Sequence, residues 1–136
     1  MRDSYQYRKL IECGGLKLPT FKADVDAFHR IRDEHHGFVE RSSKSTQRAI
    51  AADFYRMNAS FHELLARCSG NRFIEQAIRQ QNQLRRFEEY ARFTNNPPDI
   101  VGSCRDHIAI TDAVLAGDLD WASALLFRHL SVSEQR

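Results

Sequence analysis

An all-α fold, an antiparallel bundle of six to seven helices, is what this sequence predicts. Apolar residues recur at helical spacing (i, i+3 or i+4, i+7) over long stretches, and no alternating run long enough for a strand interrupts them. Breakers are few, 6 Gly and 3 Pro in 136 residues. They and the capping residues fall between the amphipathic stretches, so the links are short and successive helices should lie antiparallel.

The first helix is expected over about 4–13, stopping at Gly14-Gly15, where glycine can supply the positive φ of a C-cap. Residues 16–21, with Pro19, form a connector. A second helix over about 23–40 places Val25, Phe28, Ile31 and His35 on one stripe, and the polar run Arg41-Ser42-Ser43-Lys44-Ser45 follows it. The third spans about 46–68 and stops at Ser69-Gly70. Asn71 suits the N-cap of the fourth, about 72–93, because its side chain accepts an orphan backbone N–H. Thr94-Asn95-Asn96-Pro97-Pro98 then breaks the chain, since proline cannot continue a helix and restricts the residue before it. A fifth helix runs over about 99–116. Gly117 closes it, and Asp118 caps a sixth that reaches at least His129.

Composition bounds what such a bundle can do. The length suits one domain, and 42% hydrophobic with 28% charged residues excludes disorder. Twenty Lys and Arg against 18 Asp and Glu are interleaved to a net +2, so specific nucleic-acid binding by this chain alone is not expected. No run approaches the roughly 18 apolar residues that span a bilayer, and Met1-Arg2-Asp3-Ser4 does not begin like a secretion signal. Cys13, Cys68 and Cys104, at unrelated spacings, suit small buried side chains in a reduced, cytoplasmic compartment rather than a disulfide framework or a cysteine zinc site.

Function is signalled by polar residues on faces that should be apolar. The third helix turns Ala51, Phe54, Asn58, Phe61 and Leu65 inward, with His62 one turn after Asn58 and aligned with it. Ser103, His107, Ile110 and Val114 share a stripe on the fifth helix; Ala122, Leu125, Leu126, His129 and Leu130 form the apolar face of the sixth. Three helices thus each aim a histidine at the core. One such residue is commonly a satisfied core histidine. Several uncompensated imidazoles would cost roughly 1–3 kcal/mol each, whereas one shared metal would satisfy all of them. Both readings stay open on pattern alone. His29 and the His35-His36 pair sit among charges and read as solvated or partly packed, and Glu88-Glu89 as helix surface.

The fourth helix has an expected apolar stripe of Phe73, Ile74, Ala77, Ile78, Leu84 and Phe87, yet Gln81 and Arg85 lie along the same side. Arg85 and its neighbour Arg86 either pair with Glu75, Glu88 or Glu89 at the surface or hold a guanidinium at a pocket mouth to clasp a carboxylate. Arg8 on the first helix permits the same role.

The run Asn58-Ala59-Ser60-Phe61-His62-Glu63-Leu64-Leu65, followed by Ser69-Gly70-Asn71, resembles the signature of the FCD domain, the C-terminal effector-binding domain of GntR-family transcription regulators. Asp106-His107-x-x-Ile110, Ala113, Gly117-Asp118, Ala122 and His129-Leu130 are similar to its later half, and Tyr7-Arg8-Lys9-Leu10-Ile11-Glu12 to its first helix. The resemblance covers nearly the whole chain. It implies a bundle that binds a divalent metal, zinc or nickel, through Asn58, His62, His107 and His129, beside a pocket for a small organic acid; Arg8, Gln81, Arg85 and Arg86, singled out above by position alone, are the candidates to hold that carboxylate effector. One amide and three neutral imidazoles would leave the ion's charge uncompensated, which favours an anionic ligand. No winged helix-turn-helix domain is found in residues 1–136, so DNA would be read only through a separate N-terminal domain, with effector binding acting on a homodimer. The expectation is therefore a non-enzymatic sensor without catalytic residues. A metal-dependent hydrolase and a structural bundle without metal are the alternatives.

Overall fold

The structure, a computed structural model, describes residues 2–92 and 99–135, excluding the side chains of Gln47 and of residues 87–92. Six helices and no strand occur among the described residues: α1 (Arg2–Leu16), α2 (Val25–Ser42), α3 (Gln47–Cys68), α4 (Arg72–Arg92), α5 (Ile100–Leu115) and α6 (Leu119–Glu134). The starts follow the capping chemistry. Asp24, Thr46, Asp99 and Asp118 each accept from the backbone N–H three residues on, and Asn71 Oδ1 accepts from Phe73 N and Ile74 N. The expected break at 94–98, the end of the fourth helix at Phe93, and the side chains of Phe87, Glu88 and Glu89 lie outside the described residues.

Cross-helix bonds show the antiparallel arrangement. Ser4 pairs with Gln81 while Gly15 meets Ile74; Lys9 reaches Glu134 while Ser123 reaches the Cys13 carbonyl. On α2 and α5, Arg32 faces Asp112 and His35 faces His107. Two apolar clusters fill the bundle. The larger joins Phe28, Phe61, Leu65, Ile110, Leu126 and their neighbours; the smaller holds Phe38, Ile50, Phe54, Met57, Ile100 and Cys104.

The first helix does not end at Gly14-Gly15. It runs to Leu16, and neither glycine has positive φ. Gly15 is buried, and a Cβ there would sit 3.3 Å from Ser69 Cβ, so this glycine permits close approach of α1 to the end of α3. Left-handed glycines occur instead at Gly70 (φ 75°) and Gly117 (φ 78°), after α3 and α5. At the first of these turns Ser69 Oγ donates to the Ala66 carbonyl and accepts from Asn71 N. The α1–α2 connector docks there: Thr20 Oγ1 donates to the Ser69 carbonyl and Lys22 N to the Cys68 carbonyl, satisfying orphan helix-end acceptors.

The expected stripe of α4 proved too wide. Ile78 is buried, but Phe73 is 81% and Leu84 59% exposed. Those two stand about 140° and 120° round the helix from Ile78, at 100° per residue. Since, among the described residues, α4 packs on α1 and α3 alone, its covered face is narrow. Val25, in the first turn of α2, is likewise half exposed.

Candidate metal centre

His62 on α3, His107 on α5 and His129 on α6 are buried, and one ring nitrogen of each lies within 4.8 Å of the others. They are set into the apolar interior: His62 lies between Phe61 and Leu65 of the larger cluster, His129 between its Leu126 and Leu130, and His107 between Cys104 of the smaller cluster and Ile110 of the larger. Phe61 stacks on the His107 ring, with centroids 4.0 Å apart and planes 15° from parallel.

The outer nitrogens determine what the inner ones present. His62 Nδ1 is 2.6 Å from Glu12 Oε1, and His129 Nδ1 is 2.9 Å from Asp106 Oδ2. An ionised carboxylate only accepts, so both Nδ1 atoms carry protons, and an imidazole protonated there in its neutral form has its lone pair at Nε2. His107 Nδ1 is 2.8 Å from His35 Nε2, and His35 Nδ1 is 2.6 Å from the Ile31 carbonyl oxygen. Proton placement along that chain leaves His107 Nε2 bare as well.

Three lone pairs therefore converge in a buried site. His107 Nε2 and His129 Nε2 are 3.1 Å apart, and His62 Nε2 is buried without a partner among the described residues. Two bare nitrogens at that distance are held together only by a shared proton or cation. Ligands sharing one ion at about 2.0–2.1 Å stand about 3–3.5 Å apart, so the donor set fits a divalent metal. Two of its outer partners, the carboxylates of Glu12 and Asp106, are of the kind that orients metal-binding histidines.

Burial dominates the electrostatics. It lowers His107 well below the ordinary histidine value, helped by the surrounding rings. It also holds His62 down to about 4, although Glu12 pulls the other way. Burial would raise the Glu12 carboxyl, but Arg8 and His62 outweigh it and bring it to about 2. All three groups have folded pKa values below their unfolded ones, so the unfolded chain binds more protons as the pH falls. Stability of the metal-free protein is therefore expected to be full above pH 6.5 and to drain as His62 passes from 6.5 towards 4. Glu12 adds a second loss from 4.5 towards 2. Urea midpoints from pH 8 to 3 check this, and a midpoint unchanged between pH 7 and 4 contradicts it.

The other expected residues fall in different places. Asn58 is buried one turn before His62. Arg8 is 1% exposed; its Nε donates to Glu12 Oε2 at 2.7 Å, while Nη1 and Nη2 are buried without partners among the described residues. Gln81 accepts from Ser4 Oγ, and the Arg85 guanidinium lies over the Tyr5 ring, so α4 directs both onto α1 near Arg8. The field of Arg85 is felt at His107. Arg86 is exposed, about 100° round the helix from Arg85, and stands outside that seam.

His35 corrects the sequence expectation: it is fully buried and bonded to His107, whereas His29 and His36 are exposed. Its place on the Phe28–Ile31 stripe was the available signal, and the flanking charges masked it. Glu12 and Asp106 were also missed as site residues. Both stand in the runs that resemble the family, and Glu12 is also spaced i, i+4 from Arg8, but neither signal names the histidine that each one meets.

A family model for the FCD domain matches residues 3–132. No curated protein and no solved structure matches the chain.

Proposed function

The chain belongs to the FCD domain family, ligand-sensing regulatory domains that form the C-terminal part of GntR-family regulators; from this we propose that it senses a small organic acid through a divalent metal, zinc or nickel. Asn58, His62, His107 and His129 would hold the ion. The observation that supports this is the convergence of three buried Nε2 lone pairs, each backed by a hydrogen bond at Nδ1. When bound, the ion supplies an electrophilic position for a carboxylate or hydroxyl of the acid.

The protein's own contribution to the acid is positive charge. Arg8 keeps two buried guanidinium nitrogens without hydrogen-bond partners among the described residues, donors of the kind that pair with a carboxylate, and Arg85 adds a second cation from α4. Titration calorimetry of metal-loaded and chelated protein with mono-, di- and tricarboxylates tests the proposal. Tighter binding to the loaded form is expected, and Arg85→Gln should weaken it about tenfold, the effect of losing one charged hydrogen bond. Equal affinities in loaded and chelated protein overturn it.

We read the domain as a cytoplasmic sensor acting on DNA through a separate domain. Among the described residues, the carboxylates at the site, Glu12 and Asp106, are both engaged by histidine Nδ1 atoms. Glu63, the nearest candidate base in sequence, faces Arg79. That disfavours the hydrolase reading. No helix among the described residues is long and apolar enough to cross a membrane. The packed helices α1 and α4 expose Leu10, Phe73 and Leu84, which we assign to a homodimer face. Light scattering is expected to give a dimer that Leu10→Lys/Phe73→Lys converts to monomer. A wild-type monomer contradicts the assignment.

A further inference from the structure

His35 lies outside the three-histidine group yet is buried against it. Its Nδ1 sits 2.6 Å from the Ile31 carbonyl oxygen, which can only accept, so that nitrogen holds the proton. The other nitrogen, Nε2, then meets His107 Nδ1 at 2.8 Å as an acceptor. Phe61 stacks on His107 and defines the plane of its ring. Stacking does not choose between the two faces of a half-turn about χ2, nor between the two tautomers. Only a hydrogen-bond partner at the ring edge distinguishes them.

We infer that His35 is a positioning residue for the metal centre: by accepting from His107 Nδ1, it selects the ring orientation and tautomer that turn a bare Nε2 towards His62 and His129. The role rests on the metal reading of that site. It also extends the site to α2, anchoring a ligand of α5 through the backbone of Ile31 one turn away. Without this acceptor nothing described holds the His107 proton on Nδ1, and a proton on Nε2 blocks that nitrogen as a ligand. The loss should resemble that of other outer partners of metal-binding histidines.

Two substitutions separate acceptance from packing. His35→Gln keeps a side-chain oxygen able to accept near the position of Nε2, whereas His35→Phe keeps the ring volume and its edge against Phe61 but cannot accept. His35→Leu serves as a second acceptor-free variant should the phenylalanine protein fail to fold. Long-range 1H–15N spectra of the metal-free protein should show His107 protonated at Nδ1 in the wild type and His35→Gln. The proton should move towards Nε2 in His35→Phe. Zinc competition against a chromogenic chelator should show affinity about 10–100-fold weaker for His35→Phe, with His35→Gln within a few-fold of wild type. An unchanged His107 tautomer with wild-type zinc affinity in His35→Phe overturns the inference. So does equal weakening in both variants with the tautomer preserved. If the wild type binds neither zinc nor nickel, the metal reading fails by itself, and the tautomer spectra still decide whether His35 orients His107.

Discussion

Glu12→Leu is expected to destabilise the protein by about 3–5 kcal/mol, the cost of leaving a buried charge uncompensated. Arg8 is 1% exposed, and Glu12 is the one hydrogen-bond partner of its guanidinium among the described residues. Removing the carboxylate would strand a cation in the interior and strip the acceptor from His62 Nδ1. Domains of this size are stable by about 5–15 kcal/mol, so such a loss is a large fraction of the whole. Replacing both partners, Arg8→Met with Glu12→Leu, should recover most of it, because the pair's desolvation cost disappears along with its attraction. Urea unfolding of the two single variants and the double variant measures the coupling directly. A single-variant loss below about 1 kcal/mol would mean that water reaches Arg8. The double variant should still bind metal less tightly than wild type, since His62 would have lost the partner that sets its tautomer.

Metal-dependent stabilisation is the second large effect. An ion that binds only the folded state adds RT ln(1 + [metal]/Kd), about 2.7 kcal/mol at 100 times Kd and about 4.1 at 1,000 times. Zinc or nickel is therefore expected to raise the melting temperature of wild-type protein progressively with concentration, and chelation to reverse the rise. His129→Ala should melt at the same temperature with and without metal, because one of the three converging nitrogens is gone. The same variant relieves the 3.1 Å contact with His107, so its metal-free form should be less destabilised than removal of an ordinary buried ring. A wild-type melting temperature indifferent to both metals would leave the histidines a purely structural cluster. Retention of the full metal effect in His129→Ala would place the ion elsewhere.

Much of the fold was legible because its determinants are local. Asn71 and Asp118 cap α4 and α6 as expected, and Gly70 and Gly117 take the left-handed turns after α3 and α5; Asp24, Thr46 and Asp99, expected within helices, are the caps of α2, α3 and α5. Gly14-Gly15 misled because glycine has two uses. It can end a helix through positive φ, or it can let another chain segment come close, and at Gly15 the contact with Ser69 requires the second. Phe73 and Leu84 misled because hydrophobicity alone does not say how wide a helix's covered face is; that depends on how many neighbours it has.

By itself, the sequence determined which side chains face inward on α3, α5 and α6, since helical period and capping are properties of neighbours along the chain. Hence Asn58, His62, His107 and His129 could be placed on core faces from spacing alone, and all four are buried. Tertiary structure alone decided the partners: Glu12 for His62, Asp106 for His129, His35 for His107, and Arg8 closed in behind Glu12. A helix's period orients a residue about its own axis, but the atom it meets belongs to another helix, whose position depends on packing the whole bundle. The direction of each imidazole proton is a consequence of that packing.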